Sequence, residues 1–367
     1  MKEVVVIGAG KIGGAIALML AATDDYRVVV ADRDQQLLAK IDRHPAITVA
    51  TVDITDANAL VDVLNGKFAV LSAAPFNLTG KVAEAALKAG VHYLDLTEDV
   101  ATTKKVEELA RTAGTAFIPQ CGLAPGFISI VANDLAKRFD SLDSVRMRVG
   151  ALPQYPSNAL NYNLTWSTDG LINEYIESCE AIVEGKLVTV PAMEEREEFS
   201  LDGVTYEAFN TSGGLGTLAK TLEGRVRTMN YRTIRYPGHQ AIIKALLNDL
   251  NLKNRRDVLK DLFENALPAT MQDVVVIFVT VCGWKDGRYL QETYANKVYA
   301  GVVSGEKMSA IQITTAAGIT TVLDMLADGK LPQKGFVRQE EISLGEFLNN
   351  RFGRLYDPEV ARLKEAS

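Results

Sequence analysis

The sequence contains few cysteines and no long block of one charge. Its three cysteines, Cys121, Cys179 and Cys282, are an odd number at wide spacing, which fits neither a disulfide framework nor a zinc site. The net charge of −7 comes from interspersed acidic and basic residues, and this pattern offers no surface that follows a phosphate backbone. We therefore expect no nucleic-acid partner and no bound metal.

Long apolar segments and targeting signals are also missing from the sequence. The chain begins MKEVVVIGAG, which enters a strand at once and lacks the apolar core and cleavage site of a signal peptide. The apolar stretches are too short to span a membrane. We expect a protein of the reducing cytoplasm with no membrane partner.

Short apolar runs alternate with helical patterns from the first residue to about residue 121. The runs are VVVIG, VVVAD, VATVD, AVLSAA, YLDL and AFIPQC, and helical spacing recurs at 56–64, 79–89 and 101–113. Continuous apolar strands separated by helices are typical of a parallel sheet that is covered on both faces. We predict an α/β fold that begins with a Rossmann unit, a doubly wound parallel sheet.

Longer strands with polar alternation follow Pro125. The candidates are NYNLTW, VRTMNYRTIRY, VVVIFVTVCGW and YLQETYANKVY, and the last two are joined by a hairpin turn at Asp286-Gly287. Helices are expected at 168–184, 237–250, 255–265 and 308–328. These patterns predict a second α+β domain with a mixed or antiparallel sheet.

The length of the chain indicates more than one domain. Its 367 residues exceed the size at which single cores stop growing, roughly 250 to 300 residues. We assign residues 1–123 to the Rossmann dinucleotide-binding domain and residues 124–310 to a substrate-binding and dimerisation domain.

The motif GAGKIG follows the first strand and opens a helix. Gly8 permits a tight turn, Gly10 lets the backbone approach a pyrophosphate, and Gly13 allows close packing of helix on strand. The first helical residues, Lys11 and Ile12, offer amide hydrogens to the phosphates. A glycine-rich turn can also serve packing alone, but the strand, the helix and a later acidic residue agree on a dinucleotide.

Acidic residues end the next two strands. Asp32 stands where a carboxylate reaches the ribose hydroxyls and repels a 2′-phosphate, which favours NAD over NADP. The adjacent Arg33 can pair with that phosphate if Asp32 turns away. Asp53 is a candidate partner of the adenine amino group, and its alternative role is to cap the helix that begins near Ala57.

Small residues and one carboxylate end the strands that follow. We expect the nicotinamide ribose to pass the turn after the fourth strand, formed by Ser72, Ala73, Ala74 and Pro75. Asp95 can act in proton transfer or hold a substrate ammonium, or it can simply bond to backbone amides. Cys121 and Gly122 are expected to border the substrate, with Cys121 as a small apolar residue rather than a nucleophile.

The whole chain resembles the saccharopine dehydrogenase superfamily and is most similar within it to the L-lysine 6-dehydrogenases. The resemblance rests on IPQCGLAPGF at 118–127, LPQYPSNALNYNLTWSTDGLINEYIE at 152–177, EAFNTSGGLGTL at 207–218, TIRYPGH at 233–239 and ADGKLPQKGFVRQEEI at 327–342. It implies that residues 311–367 return to the Rossmann domain. It also implies a homodimer and a small amino-acid substrate.

Four arginines lie on or near the strand that leads into the TIRYPGH motif: Arg225, Arg227, Arg232 and Arg235. A guanidinium fork binds a carboxylate with two hydrogen bonds, so one or two of these side chains can anchor an amino acid. Arg235 is the leading candidate, with Tyr236 beside it, because it lies within the motif. The alternative is a solvated strand face.

The remaining candidates lie on either side of that strand. The loop at 211–217 offers amides and hydroxyls to a carboxylate through Gly213, Gly214 and Thr217, although a plain turn has the same composition. An imidazole ordinarily titrates near neutrality, so His239, with Asp95, is a candidate base for an ammonium substrate. A capping or surface histidine is the alternative.

These residues predict an NAD-dependent oxidative deamination. Hydride would leave an amine-bearing carbon, foremost the ε-carbon of L-lysine. One alternative is a secondary-amine dehydrogenase for saccharopine or carboxynorspermidine, which needs a second carboxylate site that the surplus arginines can supply. Another is a regulator that binds NAD without turning it over.

Overall fold

A computed structural model describes residues 1–41 and 44–357 of the chain. The chain divides into two compact units. The first comprises Met1–Ile130, Val302–Met308 and the C-terminal segment from Gln312, and the second comprises Val131–Gly301 with Ser309–Ile311. The first division falls within a helix that begins at Phe127, whose ring stacks 3.9 Å from Tyr356.

The first unit contains a seven-stranded parallel sheet. Its strands are β1 (Lys2–Ile7), β2 (Tyr26–Asp32), β3 (Ile47–Thr51), β4 (Ala69–Ser72), β5 (His92–Asp95), β6 (Ala116–Ile118) and β17 (Gly335–Phe336). The six strands predicted before residue 121 are all present. The seventh is only two residues long and comes from the C-terminal segment, where no apolar run announces it.

Helices connect these strands. They are α1 (Lys11–Ala21), α2 (Gln35–Ile41), α3 (Ala57–Leu64), α4 (Phe76–Ala89), α5 (Val100–Ala110) and α6 (Phe127–Ala136), followed late in the chain by α11 (Ala310–Ala327), α12 (Leu344–Asn349) and the 3₁₀ turns Gln339–Glu341 and Gly353–Tyr356. The strand order β17-β6-β5-β4-β1-β2-β3 reverses direction between β1 and β4. Ligands of such sheets bind beyond the carboxyl ends of the strands at that reversal.

Helix α11 is long and apolar enough to cross a membrane by length and composition, which corrects the expectation that no stretch reaches that length. Its most apolar window is 78% buried within the structure, as in the core helix of a globular fold. Asp324 near its end accepts hydrogen bonds from Tyr26 Oη at 2.8 Å, from Asn350 Nδ2 at 2.8 Å and from Arg351. These bonds hold the C-terminal segment to β2.

The second unit is built on an eight-stranded sheet. Its strands are β7 (Ser141–Pro153), β8 (Cys179–Val183), β9 (Lys186–Val190), β10 (Glu197–Leu201), β11 (Val204–Asn210), β12 (Val226–Arg235), β13 (Asp273–Lys285) and β14 (Arg288–Tyr299). A separate pair, β15 (Gly301–Val303) and β16 (Glu306–Met308), belongs almost entirely to the first unit. The helices are α7 (Thr168–Ile176), α8 (Leu218–Leu222), α9 (His239–Lys244), α10 (Arg256–Ala266), the π-helical turn Ala245–Asp249 and the 3₁₀ turn Leu252–Asn254.

The main path of this sheet has the order β10-β11-β12-β7-β13-β14, and β8 pairs with β12 beside it. Only the β12–β7 pair is parallel, so the sheet is mixed as predicted. The predicted hairpin is also confirmed, since Asp286 (φ 50°) and Gly287 (φ 72°) join Lys285 to Arg288. Phe199 on β10 and Phe278 on β13 stack at 5.1 Å although three strands separate them, so the sheet curls on itself.

Two local predictions in the second unit are wrong. NYNLTW is not a strand: Asn161 has a φ of 50° and only Leu164 forms an isolated bridge, because this segment covers a side-chain cluster rather than joining the sheet. The helix predicted at 168–184 ends at Ile176, and Cys179–Val183 forms a strand that turns at Glu184-Gly185 into β9. Both residues of that turn have positive φ, which a helix does not allow.

Candidate active site

The glycine loop is shaped by close backbone approaches. Gly8 has a φ of 108°, and a Cβ there would lie 2.9 Å from the carbonyl oxygen of Ala73. A Cβ on Gly13 would lie 1.8 Å from the carbonyl oxygen of Gly8, so helix α1 can meet β1 only through glycine. A Cβ on Gly10 would meet no atom within 4 Å. Gly10 is therefore not required by packing, which leaves room for a pyrophosphate against its backbone.

Asp32 is held beside this loop. Its Oδ2 accepts a hydrogen bond from the amide of Ala9 at 2.7 Å, and its Oδ1 accepts one from the amide of Asp34 at 2.9 Å. These bonds fix the carboxylate at the carboxyl end of β2, where a dinucleotide presents its adenosine ribose. Arg33 is exposed and interacts electrostatically with Asp53.

Asp53 remains exposed but does not cap α3. Its Oδ1 accepts hydrogen bonds from the amide and the hydroxyl of Thr55, both at 2.8 Å, which lower the pKa of the carboxyl. The cap of α3 is Asp56, which bonds to the amides of Asn58 and Ala59. The alternative role considered for Asp53 is therefore wrong, and its adenine role stays a prediction.

The turn after β4 lies against the glycine loop. The amide of Ala73 donates to the carbonyl of Ile7 at 2.8 Å, whereas the hydroxyl of Ser72 is buried and contacts Thr79 Oγ1 at 2.5 Å. Ala74 is partly exposed and Pro75 is exposed before α4. The backbone of this turn, rather than the Ser72 side chain, is thus available to a cofactor.

Asp95 is fully buried and its oxygens are engaged. Oδ1 accepts hydrogen bonds from the amides of Thr97 and Gln120, both at 2.9 Å, and Oδ2 accepts one from Tyr93 Oη at 2.7 Å. Burial raises the pKa of this carboxyl to about 6. These contacts favour the backbone-organising role of Asp95 over a role as base.

Cys121 and Gly122 are buried in the loop that follows β6. The Cys121 thiol donates to the carbonyl of Ile118 at 3.0 Å and accepts from Gln339 Nε2 at 3.2 Å. Burial raises the pKa of this thiol well above its ordinary value. The side chain is therefore a neutral structural thiol, and only the backbone of the loop can border a substrate.

Arg235 is buried in the second unit, and no carboxylate contacts it among the residues that the structure describes. Its Nε donates to Tyr175 Oη at 2.8 Å, and its Nη1 donates to Thr233 Oγ1 at 2.7 Å and to the carbonyl of Ile234 at 2.8 Å. Its guanidinium lies 4.9 Å from the ring centre of Tyr162. Glu174 interacts with this guanidinium electrostatically, but a buried cation without a direct ion pair is costly, and a bound anion would lower that cost.

His239 is linked to Arg235 through Tyr175. The Tyr175 hydroxyl lies 2.9 Å from His239 Nε2, and His239 Nδ1 lies 2.9 Å from the carbonyl of Leu160. A carbonyl only accepts, so Nδ1 carries the proton and Nε2 accepts from Tyr175, which in turn accepts from Arg235. Burial first, and Arg235 second, lower the pKa of His239 to about 3. The imidazole therefore stays neutral and orders this relay.

The other predicted residues of the second unit are placed differently. Arg227 pairs with Asp143 and Glu184, and Arg232 pairs with Glu195 and Glu197. Arg225 is exposed. Arg235 alone among the four arginines is thus buried and, in the part of the chain that the structure describes, not hydrogen-bonded to a carboxylate.

Tyr236 and the loop at 211–217 have structural contacts. The hydroxyl of Tyr236 donates to the carbonyl of Pro153 at 2.9 Å, and the ring stacks on Tyr206 rather than joining Arg235. A Cβ on Gly214 would lie 2.2 Å from the Tyr231 ring, so that glycine is required by packing. Gly213 (φ 87°) turns the loop, and Thr217 precedes α8.

Sequence reasoning missed three side chains of these sites, which are Tyr162, Glu98 and Tyr175. Tyr162 is buried, and its ring centre lies 4.9 Å from the Arg235 guanidinium. Glu98 follows β5 and is only partly exposed. Tyr175 joins the relay from within α7, 60 positions before Arg235, and no local pattern signals that contact.

We predict that Gly10→Ala weakens dinucleotide binding at least about 10-fold without unfolding the protein, because the methyl group meets the ligand and no protein atom. Isothermal titration with NAD+ measures affinity, and thermal unfolding measures stability. Gly114→Ala is the matched control, since its Cβ also meets nothing within 4 Å. Equal affinities of the Gly10 variant and the wild type would contradict a pyrophosphate at Gly10.

We predict that the lowered pKa of His239 makes the free energy of unfolding of the protein depend on pH. Its pKa falls from 6.5 to about 3 on folding, so the unfolded chain binds the extra proton and stability is lost as pH falls below 6.5. At about pH 5 the loss relative to neutral pH is about 2 kcal/mol greater in the wild type than in His239→Gln. Urea unfolding across this range tests the prediction, and parallel curves for the two proteins would contradict it.

The folds and sequences of known proteins agree with this geometry. Saccharopine dehydrogenase (L-Glu forming) from Saccharomyces cerevisiae aligns with 100% of this chain and 98% of its own, with a TM-score of 0.78 and 19% identity. A homospermidine synthase from Legionella pneumophila, solved with NAD, aligns with 97% of this chain and 89% of its own at a TM-score of 0.70 and 13% identity. These similarities establish the fold.

Curated relatives share sequence as well. Saccharopine dehydrogenase [NADP(+), L-glutamate-forming] of Saccharomyces cerevisiae is 24% identical over 334 residues, covering 84% of this chain and 74% of its own. Mitochondrial α-aminoadipic semialdehyde synthase of Rattus norvegicus is 24% identical over 202 residues, covering 52% of this chain. The matched region is only 21% of the rat protein's length.

Two family profiles together cover nearly all of the chain. Residues 4–118 match the saccharopine dehydrogenase NADP binding domain, and residues 122–358 match the saccharopine dehydrogenase C-terminal domain. Homologous enzymes of this family are oxidoreductases that act on CH–NH groups. The chain therefore belongs to the saccharopine dehydrogenase family and is an enzyme that binds a pyridine nucleotide.

Proposed function

We propose that the protein catalyses the NAD-dependent oxidative deamination of L-lysine at its ε-carbon. The observation that carries this proposal is Arg235, a buried guanidinium that forms no direct hydrogen bond or ion pair with a carboxylate among the described residues, although Glu174 interacts with it electrostatically. An amino-acid carboxylate can form with this guanidinium the direct ion pair that the protein does not provide, and the ring of Tyr162 lies 4.9 Å from the same guanidinium. When bound, the nicotinamide supplies the acceptor for the hydride.

The number of free cationic side chains favours a substrate with one carboxylate. Saccharopine carries more than one, and binding it requires a second anchor. The arginines considered for that purpose, Arg227 and Arg232, already pair with protein carboxylates. Saccharopine remains the second candidate, because curated relatives carry that enzyme's name.

The substrate proposal is tested by NADH formation from lysine, saccharopine and carboxynorspermidine. We expect lysine to be oxidised fastest. Arg235→Gln should lower kcat/KM for lysine about 10- to 100-fold, because this is the factor that corresponds to the free energy of hydrogen bonds to a charged group. Cadaverine, which is lysine without its carboxylate, should be affected much less.

Arg227→Gln is the matched control for this prediction, because it removes an exposed arginine of the same strand. This variant should leave kcat/KM unchanged for both lysine and cadaverine. Absence of NADH from lysine would reject the lysine assignment, and an equal loss for lysine and cadaverine in the Arg235 variant would reject the carboxylate anchor.

We further propose that NAD, rather than NADP, is the preferred cofactor. The fixed carboxylate of Asp32 at the ribose end of the site supports this, because it would repel a 2′-phosphate. The name of the matching N-terminal domain refers to NADP, so the preference rests on Asp32 alone.

We predict that Asp32→Ser shifts the ratio of kcat/KM values toward NADP+ by about 10-fold or more, because the repulsive charge is removed and the exposed Arg33 can pair with the phosphate. Steady-state kinetics with both cofactors measure the ratio. Asp34→Ser is the control, since that carboxylate bonds to the amides of Gln36 and Leu37 in α2. A wild type that prefers NADP+ would reject the proposal.

A further inference from the structure

The loop between β5 and α5 is fixed at both ends. Asp95 Oδ1 accepts a hydrogen bond from the amide of Thr97 at 2.9 Å, and Thr97 Oγ1 accepts one from the amide of Asp99 at 3.2 Å. Asp99 caps α5 through the amide of Thr102 at 2.7 Å. These bonds hold Glu98 between them on an ordered backbone.

Asp95 and Asp99 both accept hydrogen bonds from the amides of nearby residues, whereas the carboxyl of Glu98 does not. Apart from its own backbone amide, no donor or cation contacts it in the part of the chain that the structure describes. It is only partly exposed, and burial, with smaller contributions from Asp99 and Asp95, raises the pKa of its carboxyl to about 7. A buried carboxyl without a donor lowers stability, and carboxyls whose pKa is raised in this way cluster at functional sites.

The position of the loop between β5 and α5 indicates the role of the Glu98 carboxyl. It follows β5, whose last residue Asp95 pairs in register with Ser72 at the end of β4. The turn after β4 in turn lies against Gly8 of the cofactor loop. Glu98 therefore stands at the carboxyl ends of the strands, on the side of the strand-order reversal where this fold binds its ligands.

We propose that Glu98 is the general base that deprotonates the amine substrate, a role that rests on the proposed function. Its carboxylate takes one proton from the substrate ammonium, R–CH2–NH3+, and leaves the neutral amine and a carboxylic acid. The adjacent carbon then loses a hydride to the nicotinamide and becomes an iminium carbon. Water adds to this carbon, ammonia leaves, and Glu98 returns its proton to solvent.

The pH dependence of Glu98→Gln distinguishes a base from a structural residue. Near pH 8 lysine is an ammonium ion, and the variant should lose about 100-fold in kcat/KM, within the range typical of general base catalysis. Above about pH 10.4 the amine is neutral in solution, and the loss should shrink to less than about 10-fold. Glu98→Asp keeps a carboxyl group and should keep the pH profile with a lower rate.

Glu108→Gln provides the matched control, because it makes the same chemical change at an exposed position of α5. It should behave as the wild type at every pH. A loss in Glu98→Gln that is uniform across pH, or no loss, would overturn the proposal.

A second measurement does not depend on turnover. L-Lysine is titrated calorimetrically into the NADH complex of each protein near pH 7, in buffers of different ionisation enthalpy. An ammonium ion beside Glu98 should expel a fraction of a proton from the wild type and none from Glu98→Gln. Equal proton release by both proteins would overturn the role of Glu98.

The two proposals can fail separately. A wild type that oxidises a different amine would reject lysine as the substrate, and the same pH comparison with that amine would still decide the role of Glu98. A wild type that oxidises no amine would reject both proposals.

Discussion

The approach of three backbone segments to one another is the constraint on which the first unit depends. Gly13 lies so close to Gly8 that any side chain would overlap its carbonyl, and a Cβ on Gly8 would lie 2.9 Å from the carbonyl oxygen of Ala73. The contact sets how helix α1, strand β1 and strand β4 meet. Because Gly10 is excluded from this crowding, the helix N-terminus keeps exposed amides that a diphosphate can reach.

The second unit buries a cation that has no direct ion pair. Arg235 donates to neutral acceptors beside tyrosine rings, Glu174 acts on it electrostatically, and the chain from Arg235 through Tyr175 to His239 ends on a backbone carbonyl. Each donor in this chain has a defined acceptor, so the guanidinium is oriented before any ligand arrives. Pre-ordering of this kind lowers the entropic cost of binding a small anion.

The sequence predicted those parts of the fold that depend on local pattern. Apolar runs identified the first six parallel strands, and Asp286-Gly287 identified the hairpin because both positions need positive φ. NYNLTW failed because a segment that covers a cluster can alternate in polarity as a strand does. The apolar residues of Cys179–Val183 follow the end of a helix within a few residues. The change from helical to strand periodicity was therefore not visible in the sequence.

The candidate site was predictable only where residues close together in sequence form it. The spacing of the glycines predicts the cofactor loop, whereas the contact between Tyr175 and Arg235 joins distant parts of the chain and leaves no local pattern. The neutrality of His239 and the raised pKa of Glu98 arise from desolvation, which depends on the packed structure rather than on neighbours in sequence.

The curl of the second sheet has a consequence for its outermost strands. Lys297 on β14 reaches Asp202 in the turn between β10 and β11, at 2.9 Å. The two ends of the strand order are thereby brought together, and a lysine stands where they meet. An open strand flank invites pairing with another polypeptide. Because this ion pair draws β14 toward the β10–β11 turn, the flanks that meet there are less open to such pairing.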